Sequence, residues 1–191
     1  MKTLHALAFS LLASLSMATA ADLPSPLLPL PREQPQWWRQ QYEQQVEQVK
    51  NNPCGVLFLG DSITDYWKRE GKQVWEKAFK PYHPCNFGIS GDQTTNLIYR
   101  ITDSGIPAQT EPKLCIVMIG TNNTGHFKGG EAPEKTAMGI LGAVQHLLVR
   151  FPDTHVLLLG IFPRGTGPQD KLRQHLSLIH ISEPTRLQLI S

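Results

Sequence analysis

The sequence is short of the features that mark most non-enzymatic functions. Only three of its 191 residues are cysteine, Cys54, Cys85 and Cys115. An odd count without short spacing supplies neither a disulfide framework nor a metal knuckle. Each thiol sits at or inside an apolar run, where free cysteine packs as a small apolar group; one pairing among the three is the other reading. Charge of one sign is also missing, since 18 Lys and Arg stand against 16 Asp and Glu. That balance gives no basic field for nucleic acid and no acidic tail. No phosphate-cradling G-x-x-x-x-G-K-[ST] loop and no internal repeat occur. The apolar stretch from Leu4 to Leu15 is too short to span roughly 30 Å of hydrocarbon, and serines interrupt it. A membrane span, a nucleic-acid binder and a nucleotide-binding loop of that kind are thereby set aside.

What is present has an order along the chain. Lys2, the apolar stretch and Ala18-Thr19-Ala20 form a secretory signal over residues 1–20, so the mature chain is expected to begin at Ala21 and to be secreted or periplasmic. Prolines at 24, 26, 29, 31 and 35 predict an extended linker over 21–35. One domain follows over 36–175. Its first segment, 36–50, reads as a helix with Trp38, Tyr42, Val46 and Val49 on one face. Trp37 and Trp38 read as core, or as a carbohydrate platform. Apolar runs at Val56–Leu59, near Cys85–Phe87, at Leu114–Ile119 and at His155–Leu159 predict strands. Helices are expected at Thr94–Ile101 and Pro133–Arg150, the second with Pro133 in its first turn and Ile140, Val144, Leu147 and Leu148 inward. Strands alternating with helices specify an α/β domain with a parallel sheet covered on both faces.

Three of these strands end in polar, glycine-bearing turns. Gly60-Asp61-Ser62 follows the first, Gly88-Ile89-Ser90-Gly91-Asp92 the second, and Gly120-Thr121-Asn122-Asn123 the third. Open α/β sheets put their chemistry at the carboxyl ends of strands, so the three turns are placed to converge on one crevice. Ser62 holds a nucleophile's position; its other reading is a helix N-cap. Gly91 allows close backbone approach, or is simply a turn residue of positive φ. Asn122 is a side-chain donor or a structural Asx-turn. Asp61 and Asp92 are expected to order loops by accepting backbone hydrogen bonds. His83, His146 and His155 read as surface or packing residues, and no cluster of ligand spacing predicts a metal or any other cofactor.

With these blocks in order, the chain resembles the SGNH, or GDSL-type, hydrolase superfamily over about residues 54–175. The strings NFGISGDQTTNLIYRI, MIGTNNTGH and LLLGIFPRG are similar more narrowly to the platelet-activating factor acetylhydrolase branch and related secreted bacterial esterases, a branch that shares the Asn at 123 where Asp is commoner. The resemblance implies a flavodoxin-like three-layer α/β/α fold. It also implies Ser62 as nucleophile and an oxyanion hole from the backbone amides of Ser62 and Gly91 and the side chain of Asn122. His126, in the loop after Asn122, is a candidate substrate contact and not the base. The family's base comes from an Asp-x-x-His block, and none occurs in this sequence. The implied partner is a small-molecule ester carrying a short acyl group, acetyl first, on carbohydrate or lipid. The alternative is a non-catalytic carbohydrate- or lipid-binding protein on the same fold.

From Leu176 to Arg186 the residues back-translate in one frame into an adapter used in transposon-based sequencing libraries. Residues 176–191 are therefore expected to be a non-native tail, leaving the fold incomplete at the carboxyl side, without a fifth strand or closing helix and with one flank of the sheet bare. A genuine amphipathic tail packed through Leu178 and Ile181 is the other reading.

Overall fold

The computed structural model describes residues 25–32, 35–103, 105–107, 110–125, 130–182 and 188–190. Residues 1–20, where a signal is expected, and His126 lie outside the described residues. The elements run α1 (Gln36–Asn51), β1 (Val56–Gly60), α2 (Ser62–Asp65), α3 (Lys72–Ala78), β2 (Pro84–Gly88), α4 (Thr94–Thr102), β3 (Leu114–Met118), α5 (Pro133–Arg150), β4 (His155–Leu158), α6 (Lys171–Ser182) and β5 (Gln188–Ile190).

The sheet order is β2-β1-β3-β4-β5, the flavodoxin-like order, whose switch point lies between β1 and β3. β1, β2, β3 and β4 are parallel, and the register sets Gly60 beside both Gly88 and Met118. Three strands thus end level, and the turns after them leave from one edge.

Alternation of side chains along the strands divides the core. Leu57, Leu59, Phe87, Val117 and Val156 point to one face, where they form a single buried cluster with Trp38 and Val46 of α1, Leu97 and Ile101 of α4, and Ile140 and Leu147 of α5. The opposite face is covered more thinly. Phe58 packs there against Trp75 and Phe79 at ring-centroid distances of 4.7 and 5.0 Å, while Ile116 and Leu157, next to it in the same row, stay half-buried. The expected three layers are present, with the second helical layer reduced to α2 and α3.

Two expectations are corrected. The proline-rich stretch is not an extended spacer where it is described. Ser25–Leu27 form a 3-10 turn with Pro26 buried, and this strap lies on α4 and α5. Gly139 and Gly142, one turn apart on α5, open the groove: added Cβ atoms would meet Thr94 Oγ1 and Leu27 Cδ2. Leu30 N donates to Thr95 O at 3.2 Å, and Asn96 Nδ2 returns a bond to Leu30 O at 2.9 Å.

The second correction concerns the flank of the sheet, which is not bare. Leu176 and Ile179 of α6 are buried where α6 packs on α5, whereas Leu178, which the alternative reading of a packed tail put inward, is 49% exposed. β5 then pairs antiparallel with β4. An edge strand presents unpaired N–H and C=O groups, and an extended segment within reach satisfies them.

Candidate active site

The turn after β1 sets the stereochemistry of Ser62. Asp61 is the N-cap of α2, its Oδ1 accepting from Ile63 N at 3.0 Å. Ser62 is therefore the first helical residue and not the cap that its type suggests. With the capping done by its neighbour, the half-buried Ser62 hydroxyl has no hydrogen-bond partner among the described residues. The close fit of α2 against the sheet depends on absent side chains. A Cβ at Gly60 would strike Thr64 Oγ1 and Met118 O, and one at Gly88 would strike Asp65 N. Asn86 completes the seam, donating to Thr64 O at 2.7 Å and accepting from Gly88 N at 2.9 Å.

Gly91 has φ of +82°, a conformation that side chains strain, and a Cβ there would lie 2.8 Å from Arg32 Nη1. Arg32 reaches the loop from the strap and donates to Ser90 O at 2.8 Å. Asn122 is buried and donates through Nδ2 to Asp92 O at 2.9 Å, while Gln93 Nε2 donates to Asn122 O at 3.3 Å. Asn123 accepts from Thr94 N and donates to Thr94 Oγ1 and to Glu131 Oε2, at 3.1, 3.0 and 2.8 Å. An ionised Asp could not donate either of the last two bonds, which is the local reason for Asn at this position.

Electrostatics distinguish the two aspartates. Asp92 does not order its loop through backbone donors, as expected, but through side chains. Trp38 Nε1 donates to Oδ1 at 2.6 Å, and Arg100 Nε donates to Oδ2 at 2.9 Å. Burial pushes the Asp92 carboxyl up, and the Arg100 guanidinium and the Trp38 N–H pull against it. Asp61, nearly fully buried, is pushed up to about 6 by desolvation, with the Ile63 N–H and the Arg164 charge opposing and Asp92 reinforcing. Arg164, from the loop after β4, also reaches Thr121 Oγ1 at 3.3 Å.

The fold thus brings Ser62, Gly91 and Asn122 to the carboxyl edge of three adjacent strands. Beside Asn122 lies a crevice of about 210 Å³ lined by Gln93, Thr95, Asn122, Asn123, Gly125, Gly130 and Glu131; Ser62 is not among its walls. Trp38 is core, at 0% exposure, and Trp37 is 43% exposed. The three cysteines are buried and unpaired, and no group of metal-ligating side chains occurs among the described residues. Sequence reading missed Arg100, Arg32 and Arg164, whose partners are remote in the chain.

A family model described as the GDSL-like Lipase/Acylhydrolase family matches residues 58–179. Platelet-activating factor acetylhydrolase IB subunit alpha1 of Homo sapiens is 33% identical over 145 residues, covering 74% of this chain and 59% of that protein. Subunit alpha2 of Rattus norvegicus is 34% identical over 137 residues, covering 72% and 56%. The chain therefore spans less than two thirds of the length of these relatives. Among solved structures, a GDSL-like lipase from Bacteroides thetaiotaomicron superposes with a TM-score of 0.58 at 21% identity, covering 75% of this chain and 71% of that one. An acetylxylan esterase from Geobacillus stearothermophilus gives 0.51 at 19%, covering 69% and 72%. At such identities the likeness is one of fold.

Proposed function

The chain belongs to the GDSL-like Lipase/Acylhydrolase family, and from that premise we propose that it is a secreted serine esterase that removes a short acyl group, acetyl first, by way of an acyl-enzyme. The observation that carries the proposal is the unpartnered hydroxyl of Ser62 at the carboxyl end of β1, freed by the Asp61 cap. In the proposed reaction Ser62 Oγ attacks the ester carbonyl as its proton passes to solvent or to a base supplied from solution, which returns a proton to the leaving alcohol oxygen. The oxyanion is met by the amides of Ser62 and Gly91 and by Asn122 Nδ2, and the alcohol departs. Water then releases the acid. Donors fixed in advance on strand ends need no reorganisation as charge develops.

For the alcohol half of the ester, the crevice beside Asn122 favours a hydroxyl-bearing acceptor over an alkyl chain, because among the described residues its walls carry amide, hydroxyl and carboxylate groups and no large apolar side chain. Carbohydrate esters are accordingly placed ahead of lipids as substrates. Secretion rests on the signal-like residues 1–20.

The test compares hydrolysis of p-nitrophenyl acetate, p-nitrophenyl butyrate and octanoate, an acetylated xylo-oligosaccharide and an acetylated phospholipid, with fluorophosphonate labelling alongside. Expected are labelling at Ser62, a preference for acetyl, and loss of both labelling and turnover in Ser62→Ala. Labelling and turnover equal in parent and variant would remove Ser62 from the mechanism. Saturable binding of the sugar with no turnover or labelling, even with imidazole added as base, would establish the binding-protein alternative.

A further inference from the structure

Arg100 is wholly buried, which is costly for a guanidinium unless each donor is met. Its partners come from three segments of the chain. Nη2 donates to Gly60 O at 3.1 Å, Nη1 to Phe87 O at 2.6 Å, and Nε to Asp92 Oδ2 at 2.9 Å, with Nη2 a further 2.8 Å from the same oxygen. Gly60 ends β1 two residues before Ser62. Phe87 is the penultimate residue of β2. Asp92 follows Gly91, and its carbonyl accepts from Asn122 Nδ2 at 2.9 Å. A single planar cation therefore spans the ends of β1 and β2 and, through Asp92, the turn after β3.

If this side chain served only to fill the space under α4, a Leu or Met would do so without the desolvation cost. What an apolar residue cannot do is fix two strand-end carbonyls and the carboxylate of a following turn at set distances from one another. The fork of N–H donors on Arg has that geometry, and the point charge of Lys does not. Trp38 Nε1, at 2.6 Å from Asp92 Oδ1, holds the carboxylate from the other side, so that the guanidinium meets it in one orientation.

We propose that Arg100 is the positioning residue of the oxyanion hole. It touches no substrate, and it sets the separation of the Ser62 amide, the Gly91 amide and the Asn122 side chain through Gly60, Phe87 and Asp92. The proposal rests on the esterase reading for its kinetic consequence, but not for its structural one.

Both consequences are measured on the full chain with Arg100→Lys, which keeps the charge beside Asp92 and cannot serve all three acceptors. The first measurement is ¹H–¹⁵N NMR of the Ser62 and Gly91 amides and the Asn122 side-chain amide. Arg100→Lys should displace these signals beyond the spread seen in the rest of the sheet. The second is ester turnover, where kcat should fall on the order of 10- to 100-fold with KM within about twofold, since a misplacement near 1 Å is enough to cost that much. Displaced signals and reduced kcat with native circular dichroism support the proposal. Unmoved signals, or kcat within about twofold of the parent, overturn it, because the donors are then held without the fork. Should Arg100→Lys fail to fold, Asp92→Asn, isosteric and loosening the same guanidinium from its other end, is read in the same two ways. If neither parent nor variant turns over ester even with imidazole added, the esterase reading fails, and the NMR signals alone still decide the positioning role.

Discussion

The side-chain amide of Asn122 donates to the backbone carbonyl of Asp92 at 2.9 Å, joining the turn after β3 to the turn after β2. An amide carries two N–H donors. One is spent on this link, and the other is available to a developing oxyanion. In the proposed reaction Asn122→Ala therefore removes a transition-state donor together with the bond that aims it. We expect kcat for p-nitrophenyl acetate to fall by on the order of 10² to 10³, with KM moving much less. The buried Asp92 carbonyl also loses a partner, so urea unfolding should register a loss of about 1–3 kcal/mol. A large rise in KM at constant kcat would make Asn122 a substrate-binding residue instead.

Gly91 is constrained twice over, by its φ of +82° and by Arg32 Nη1 at 2.8 Å from its Cβ position. Gly91→Ala strains the backbone and pushes against the guanidinium that holds Ser90 O. The expected cost is about 1–2 kcal/mol in chemical denaturation. Because the loop moves, turnover should fall by more than that stability loss explains at a temperature where the variant is fully folded. Arg32→Ala combined with Gly91→Ala relieves the clash but not the strain, so it should restore only part of the stability. Full restoration would assign the whole effect to the contact.

The parts of the fold that could be read from sequence are those fixed by local pattern. α5 runs from Pro133 to Arg150 as expected, because proline is at home in a first helical turn and the inward residues keep helical spacing. The first four strands were legible as apolar runs, and Ser62, Gly91 and Asn122 were legible because each follows one. Arg100 was not, since an Arg in the last turn of a short helix looks like a solvated face. Its burial depends on Gly60 and Phe87, 40 and 13 residues away. The strap was misread for a related reason. Prolines bar regular structure but do not bar docking, and the sign of docking lay elsewhere, in Gly139 and Gly142 one turn apart on α5. Serine caps helices well, so the sequence admits Ser62 as a cap; Asp61, one residue earlier, caps equally well and occupies the role.

Asp61 makes stability depend on pH. Burial raises its carboxyl from 3.8 to about 6 in the folded chain. In the window between those values the folded state holds a proton that the unfolded state has lost. Stability is therefore full below about pH 4, falls as pH rises towards about 6, and is flat above, with a total loss of about 3 kcal/mol at most. Asp61→Asn keeps an acceptor for Ile63 N–H and has no charge to desolvate. Parent and variant should match near pH 4, and the variant should be the more stable by about 1–3 kcal/mol at pH 7.5. Stability differences that stay constant from pH 4 to 7.5 would show that Asp61 titrates normally.

The last prediction concerns the proton of Ser62. The acylhydrolase resemblance places the base in an Asp-x-x-His block, and the sequence has none. Of the described histidines, His175 lies on α6 with its Nε2 unpartnered among the described residues and belongs to no Asp-x-x-His block. His83 immediately precedes β2 and His155 opens β4, both at the amino edge of the sheet, and Ser62 leaves the carboxyl edge. A strand of this length separates those edges by roughly 15 Å, too far for proton transfer. His146 lies near the end of α5, in the turn of chain that leads back to the start of β4. Without a base, a serine enzyme loses on the order of 10⁶ in kcat, yet oxyanion stabilisation and binding leave roughly 10³ to 10⁴ over water. The chain should hydrolyse p-nitrophenyl acetate at that residual level. Added imidazole supplies the missing function from solution, so turnover should rise with its concentration in the parent, and Ser62→Ala should show only the background reaction of imidazole with ester. Fast turnover that ignores imidazole and is lost in His126→Ala would mean that the loop after Asn122 carries the base. The Asp-x-x-His argument would then fail for this chain.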